Sequence, residues 1–538
     1  MALILAAAMF AGGGQSASSS QPSGASIVTA PGTFPVVNTP VTFKVFAGGA
    51  ASIENFETNT FTKFYEQKTG IKLEWQIAPP ASIAEQRRLS IAGGDLPDFY
   101  INTQFTKNDE VLYGKEGVFI PLNNLIDTYG YWMKDMFNTE LPGSRAMITA
   151  PDGNIYGLPE ASDAIHIVYP EKLMINTEWL KKLNLAVPVT TDDFYNVMTA
   201  FKTRDPNGNG RADEIPHISA NNLMPYFVNS FIQMDGSGFL VTADNKVDVA
   251  YNKQEFRQAL TWLNKLISEG LIDSSSFSIT NQDLRQIAEN PNAQILGSTC
   301  QSAPSAFYSM TSERQRTFDA IPPLRGPNGV RLSVYNPSAQ VGTGRLNITN
   351  KCRYPEAVIR WIDWFYDQEG LMTMRIGREG IEWKWALPGE LSYTGAPGVW
   401  HNIGAQGGST NEFWMQYGIA SYNRHTKQIG VFDERHYGPE GLNSRIYIYS
   451  KESYEPYRPQ NVLPSMYFEA NILDPIVQPL NDITSYREQM WARFATGDLA
   501  LTDANWNSYV NTLNQMGIQR IVEAYQRTYD TFLRNSGR

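Results

Sequence analysis

The sequence predicts an α/β protein built as two lobes, and three observations carry that prediction. The chain has 538 residues, more than one hydrophobic core ordinarily organises. From Val41 onward, short alternating segments are followed by helix-patterned ones, the order that builds a mostly parallel sheet with helices on its faces. Gly and Pro punctuate the ends of these segments.

Taken in order, residues 1–40 come first and contain no Lys, Arg, Asp or Glu. Ala2–Ala11 is apolar and has the character of the core of a secretory signal, too short to span a bilayer. The Gly- and Ser-rich stretch after it reads as a flexible tether. Phe10-Ala11-Gly12 resembles the approach to a lipoprotein cysteine, with Gly13 where that cysteine would stand, so a shortened, de-lipidated form is expected; a plain Ala/Gly-rich terminus is the alternative. Val41–Ala47 then alternates as a strand and ends at Gly48-Gly49. A helix is predicted over Thr58–Thr69, a strand over Lys72–Ala78, a helix over Ile83–Ala92 and a strand over Asp98–Ile101. In such sheets ligands sit at the carboxyl ends of the strands, here the loops Gly48–Asn55 and Asn102–Asn108.

The balance of 44 Lys and Arg against 54 Asp and Glu gives a net charge of −10, which repels phosphate backbones and argues against a nucleic-acid partner. The two cysteines, Cys300 and Cys352, make no disulfide framework, and a single bridge between them stays open. Most of the 12 Trp, 27 Tyr and 26 Phe are expected in the core, and an excess over its needs would suit a protein that stacks sugars.

The run Glu85 to Asp98, ending Gly93-Gly94-Asp95-Leu96-Pro97-Asp98, resembles the helix–GD-x-PD–strand signature of the extracellular solute-binding proteins of bacterial ABC importers. Gly153-Asn154-Ile155-Tyr156-Gly157-Leu158-Pro159, the segment Asn176–Leu183 followed by Pro188 and Thr190, Tyr354–Ala357 leading to Trp361 and Trp364, and the helix Gly517–Phe532 resemble further family segments in the same order. The likeness is closest to the long carbohydrate-binding lipoproteins of Gram-positive bacteria and to the alginate- and glycosaminoglycan-fragment-binding branch. It implies a two-lobed periplasmic-binding-protein-like fold of the class II type with hinge strands. Crossings are expected near His166–Met174, Phe318–Pro323 and Met374–Arg378, which gives lobe one as 41–165 plus 320–375 and lobe two as 166–319 plus 376–538. It also implies a monomer outside the cytoplasmic membrane, tethered only by lipid, that hands an oligosaccharide to permease subunits and catalyses nothing. A binding protein for peptides or another solute is the nearer alternative, and a polysaccharide-degrading enzyme the more distant one. No HExxH, G-x-S-x-G or P-loop motif supports catalysis.

The most specific chemical motif is Asp205-Pro206-Asn207-Gly208-Asn209-Gly210-Arg211-Ala212-Asp213-Glu214. Asp205, Asn207, Asn209 and Asp213 fall at positions 1, 3, 5 and 9 of an EF-hand calcium loop. Gly210 falls at position 6, and Arg211 offers a backbone carbonyl. Pro216 stands where the bidentate Glu is expected, with Glu214 as its substitute. The alternative is an Asn/Gly turn with no ion, and the family likeness, whose alginate-binding branch carries such a loop, favours structural Ca2+.

For the sugar, flat aromatics paired with polar side chains are expected. Gln104 and Phe105 follow the third strand. Glu379, Glu382, Trp383 and Trp385 form the densest candidate, because residues two apart in a strand share a face. The likeness also places a G-x-E-G segment near the cleft, here Gly377–Gly380. Trp400 and Trp414, beside a Gly-rich loop, and Asn221, Asn222 and Gln301, in polar loops of lobe two, complete the candidates. Plain sheet packing is the alternative for each tryptophan. Trp361 and Trp364 are expected in the core.

Overall fold

In the computed structural model Val41–Gly48 forms the strand its alternation predicts. The structure describes residues 27–535 apart from 51–52, 221–222, 310–311, 393–394, 404–410, 415–416 and 425–441. The first strands are β1 (Val41–Gly48), β2 (Ile71–Ala78), β3 (Phe99–Ile101), β4 (Leu158–Ser162) and β5 (Lys172–Asn176). Next come β6 (Phe239–Val241), β7 (Val247–Val249), β8 (Ser298–Gln301), β9 (Phe318–Ile321) and β10 (Val341–Ile348). Three short ones follow: β11 (Trp383–Trp385), β12 (Trp400–Asn402) and β13 (Ser421–Asn423).

Six of them form one sheet in the order β13-β4-β10-β3-β1-β2. β1 is parallel to β2 and β3, and β13 to β4, while β10 alone runs against its neighbours β3 and β4. The carboxyl ends of the other five therefore lie along one edge. A smaller sheet, β8-β5-β9, is antiparallel throughout.

Local chemistry sets the helix ends. Asn59 caps the helix Thr60–Thr69 by accepting from Phe61 N at 3.0 Å, and left-handed Gly70 (φ 76°) stops it. Thr106 and Asp109 form a reciprocal capping box at the start of the helix Lys107–Lys115, as Thr190 and Asp193 do for Thr191–Thr203.

Two separate hydrophobic cores define two lobes. One is supplied by 28–161 and 341–422, and holds Trp361 and Trp364 as expected. The other is supplied by 168–324 and 449–529. Phe318–Pro323, expected as a crossing, instead supplies β9 beside β5 and buries Phe318 and Ile321 in the second core. Met374, within the third expected crossing, is buried in the first core. The second and third passages thus fall later in the chain, between Leu324 and Val341 and between Tyr422 and Tyr449. Pattern alone marks a strand, but not which of two cores receives its apolar face.

The expected tether is also shorter than 1–40. Val28, Val36 and Val37 are buried in the first core, and Arg360 Nη2 donates to Ala30 O and Thr33 O at 2.8 Å each. The residues read as a signal, Gly13 included, lie outside the described residues. Cys300 and Cys352 are both free, on different cores. Among the described residues, no helix is long and apolar enough to cross a membrane.

Candidate functional site

β4 ends at the first passage between lobes and the antiparallel β10 begins where the second one ends, so the carboxyl edge of the large sheet faces the second lobe. Four polar side chains from four elements meet on that edge. Asn102, just after β3, holds a left-handed backbone (φ 49°), as does Gln104 (φ 59°). Arg345 on β10 donates from Nη1 to Asn102 Oδ1 at 2.8 Å, and its Nη2 lies 3.3 Å from Glu160 Oε2 on β4. Arg375, the last residue of the helix Gln368–Arg375, donates to Glu160 Oε1 at 2.7 Å. The Nε of each arginine is buried with no partner. A Cβ on Gly418 would lie 3.1 Å from Arg345 Nη1 and 3.3 Å from both Asn102 Oδ1 and Glu160 Oε2, so glycine lets the chain pass over the cluster. Two guanidinium groups, a carboxylate and an amide offer donors and acceptors on fixed directions, the equipment for ranks of hydroxyls.

Next to it the carboxyl ends of β1 and β2 bound a hollow of about 550 Å3, lined by Gly49, Ala50, Ile53, Phe56, Trp75 and Ile77 among others. Phe56 and Trp75 lie 4.8 Å apart, and Trp75 Nε1 is buried without a partner. Tyr417 joins the two patches: its hydroxyl donates to Gly48 O at 2.8 Å and its ring lies 5.2 Å from Phe56. A Cβ on Gly48 would fall 2.4 Å from Asn102 O, so the β1 and β3 loops approach this closely because residue 48 is glycine.

The residues expected from sequence scatter. Gln104 is exposed on the edge, while Phe105 is buried against Tyr100 and Phe119 with the Arg87 guanidinium 4.6 Å from its ring centre. Gln301 is buried at the end of β8 and donates to Asn281 Oδ1 at 3.0 Å. Glu379 is exposed, and Glu382 accepts from Arg378 N at 2.7 Å and Nη2 at 2.6 Å, which holds its carboxyl below the usual range. Trp383 and Trp385 do touch, edge to face at 5.0 Å. Yet Trp383 is interior, donates to Gly377 O at 2.8 Å and packs with Met372 and Trp400, whereas Trp385 is 39% exposed. Trp414 is buried and donates to Thr62 Oγ1 at 3.0 Å. Asn221 and Asn222 lie outside the described residues. Sequence reasoning missed Glu160, Arg345 and Arg375; the one available signal was that Glu160 follows the Gly157-Leu158-Pro159 segment at the end of a strand.

The Asp205 loop is tightly wound. Asp205 (φ 47°) accepts from the backbone of Gly208, Asn209 and Gly210 at 2.9–3.1 Å. Asn207 and Asn209 donate side-chain amides to Asp213 at 2.9–3.1 Å, which keeps that carboxyl low. Lys182 Nζ donates to Pro206 O at 2.7 Å and ties the loop to the second lobe. Glu214 Oε1 is buried with no partner, and burial, with the nearby charges of Asp205 and Asp213, raises its carboxyl. Among the described residues no group of three or more His, Cys, Asp and Glu is arranged to hold a metal. The donor chemistry still suits a hard cation: the charges of Asp205 and Asp213 bear on Glu214, whose buried oxygen is left over.

The lobes also meet away from the passages. Tyr467, from the segment leading into the helix Ala470–Thr496, packs among residues of the first lobe and donates to Glu110 Oε2. Asn347 donates to Glu110 Oε1 at 3.0 Å, and Lys107 to Met147 O and Ser465 O at 2.7 Å each. Burial pushes Glu110 up to about 7 and Lys107 down to about 8.

The family described as bacterial extracellular solute-binding protein matches residues 46–372. The fructooligosaccharide ABC transporter substrate-binding protein FusA of Streptococcus pneumoniae is 27% identical over 492 residues, 87% of this chain and 86% of the relative. Lipoprotein LipO of Bacillus subtilis is 25% identical over 394 residues, 71% of this chain and 72% of the relative. Structures of FusA with kestose, and of a FusA EF-hand mutant with fructo-nystose, each match 92% of this chain and all of theirs, with a TM-score of 0.72 at 25% identity.

Proposed function

This chain belongs to the bacterial extracellular solute-binding proteins, and we propose from that premise that it is the oligosaccharide-capturing subunit of an ABC importer. The observation that carries the reading is the cluster of Asn102, Glu160, Arg345 and Arg375 on the sheet edge that faces the second lobe. The guanidinium groups donate to ring and hydroxyl oxygens, and Glu160 and the Asn102 amide accept from hydroxyls. The hollow floored by Phe56 and Trp75 offers an apolar face to a sugar's C–H surface. The carboxylate of Glu160 offsets one of the two positive charges and leaves the other uncompensated, so the cluster suits hydroxyl and carboxylate oxygens alike. A fructose-containing oligomer such as kestose is the first ligand to try, because FusA, bound to kestose in its own structure, is a relative of this chain.

Capture works by population shift. The lobes sample open and closed arrangements, and a sugar that touches both favours the closed one, which permease subunits then recognise. The protein acts as a monomer by binding rather than turnover. A form with a lipid-bearing cysteine at position 13 would be held outside the cytoplasmic membrane by that anchor, as the likeness to LipO suggests.

Asp205, Asp213, Glu214 and the carbonyl oxygens of the same loop hold a structural Ca2+ in this reading, a role the EF-hand of FusA makes natural. A Ca2+ held there would supply the positive charge that Asp205, Asp213 and Glu214 lack. The chain itself contributes the turn at Gly210 and the Lys182 tie to the lobe.

Calorimetric titration of a panel of neutral and acidic oligosaccharides and of peptides, with reducing-end release followed in parallel, tests the function. Saturable binding of one sugar class without turnover is expected. Peptide binding alone, or sugar cleavage, would refute it.

A further inference from the structure

Beside the passages between the lobes lies a cavity of about 610 Å3, bounded by Lys107 of the first lobe and by Glu171, Asp235, Ser237 and Phe239 of the second. Glu171 is 9% exposed, and its Oε2 is buried without any hydrogen-bond partner. Burial alone holds its carboxyl up at about 8. Asp235 faces the same space. It accepts from Ser237 N and Phe239 N at 2.8 Å each, with the Arg487 charge nearby, and burial still holds it at about 6. The basic group among the described lining residues, Lys107, is already spent on Met147 O and Ser465 O. Part of the wall is aromatic: Phe239 and Tyr525 stack at 4.3 Å, and Phe468 meets Tyr525 edge-on at 4.9 Å.

A carboxyl shut away with no partner carries a cost that a positive charge beside it removes. Aromatic faces attract the same kind of charge. We propose that this cavity is a second binding site, for a small organic cation: a protonated amine or quaternary ammonium whose charge pairs with Glu171 and whose carbon body lies on the Phe239–Tyr525 wall. Both lobes line the cavity, so an occupant that needs both walls biases their relative position and couples to events on the sheet edge.

The test is calorimetric titration of the full chain with tetramethylammonium and n-propylammonium, and with n-propanol as the neutral counterpart, at pH 7 in two buffers of different ionisation enthalpy. Ammonium binding is expected to release up to about one proton, because the paired carboxyl gives up the proton it otherwise holds. Glu171→Gln should weaken ammonium binding by about tenfold or more and abolish the proton release. Ala339→Leu, which narrows the cavity and leaves the acid in place, should weaken it too and serves if the first variant does not fold. No ammonium binding up to about 50 mM, a range that reaches millimolar affinities, overturns the proposal. So does equal binding by wild type and both variants, or n-propanol binding as well as the ammonium ions. Sugar titrations run alongside separate this result from the importer reading: loss of sugar binding in Glu171→Gln without ammonium binding would make the cavity part of the sugar site and end the cation proposal.

Discussion

At the scale of single residues, the proposed sugar site is carried by groups that no local pattern connects. Glu160, Arg345 and Arg375 are separated by up to 215 positions and converge because β4, β10 and one helix end share an edge. A hydrogen bond involving a charged group contributes about 1.5–3 kcal/mol, so Arg345→Ala or Arg375→Ala should weaken sugar binding by about 10–100-fold, read by titration, with the fold intact by circular dichroism. Tryptophan spacing was legible but its consequence was not. Period two places Trp383 and Trp385 together, as they are, yet burial separates their roles. Trp383→Ala should cost about 3–5 kcal/mol in denaturant unfolding, and Trp385→Ala about 1 kcal/mol or less. Glu171 adds a pH signature. Its folded value of about 8 stands above the usual carboxylate range, so the folded state keeps a proton the unfolded state has lost. Stability from this group is full below about pH 4.5 and falls as pH rises to about 8, by a few kcal/mol in all. Melting temperatures between pH 5 and 8 should therefore drop more for wild type than for Glu171→Gln.

At the scale of elements, the early strands and helices were readable to within a residue or two, because each combined periodicity with a stop signal. Asn59 and Gly70 bound one helix, and Gly48 ends β1. Later elements were harder. β9 carries an apolar face that either core accepts, and only its pairing with β5 decides between them. The Asp205 loop stood out in sequence through fixed offsets of oxygen-bearing residues, and Glu214 Oε1 is the buried atom an ion would satisfy. If Ca2+ sits there, chelator should lower the melting temperature, and added Ca2+ at 100 times its dissociation constant should restore about 2.7 kcal/mol. Asp205→Ala and Glu214→Gln should abolish the Ca2+ response, and an unchanged response in both would exclude the loop as the binding site.

At the scale of the whole molecule, the two cores meet through the passages and through the contact of Tyr467 with Glu110, which leaves the far part of the sheet edge near β1 and β2 free of the hinge. That layout suits rotation about one side and capture on the other. Length and alternation foretold two lobes; where the chain changes lobe is a long-range choice that no single segment states. The central claim is that sugar binding draws the lobes together. Small-angle X-ray scattering of the wild-type chain, alone and saturated with the oligosaccharide selected by titration, tests it most directly. The account predicts a smaller radius of gyration on binding, lost in Arg345→Ala under the same conditions. Saturable binding with an unchanged scattering profile would contradict it.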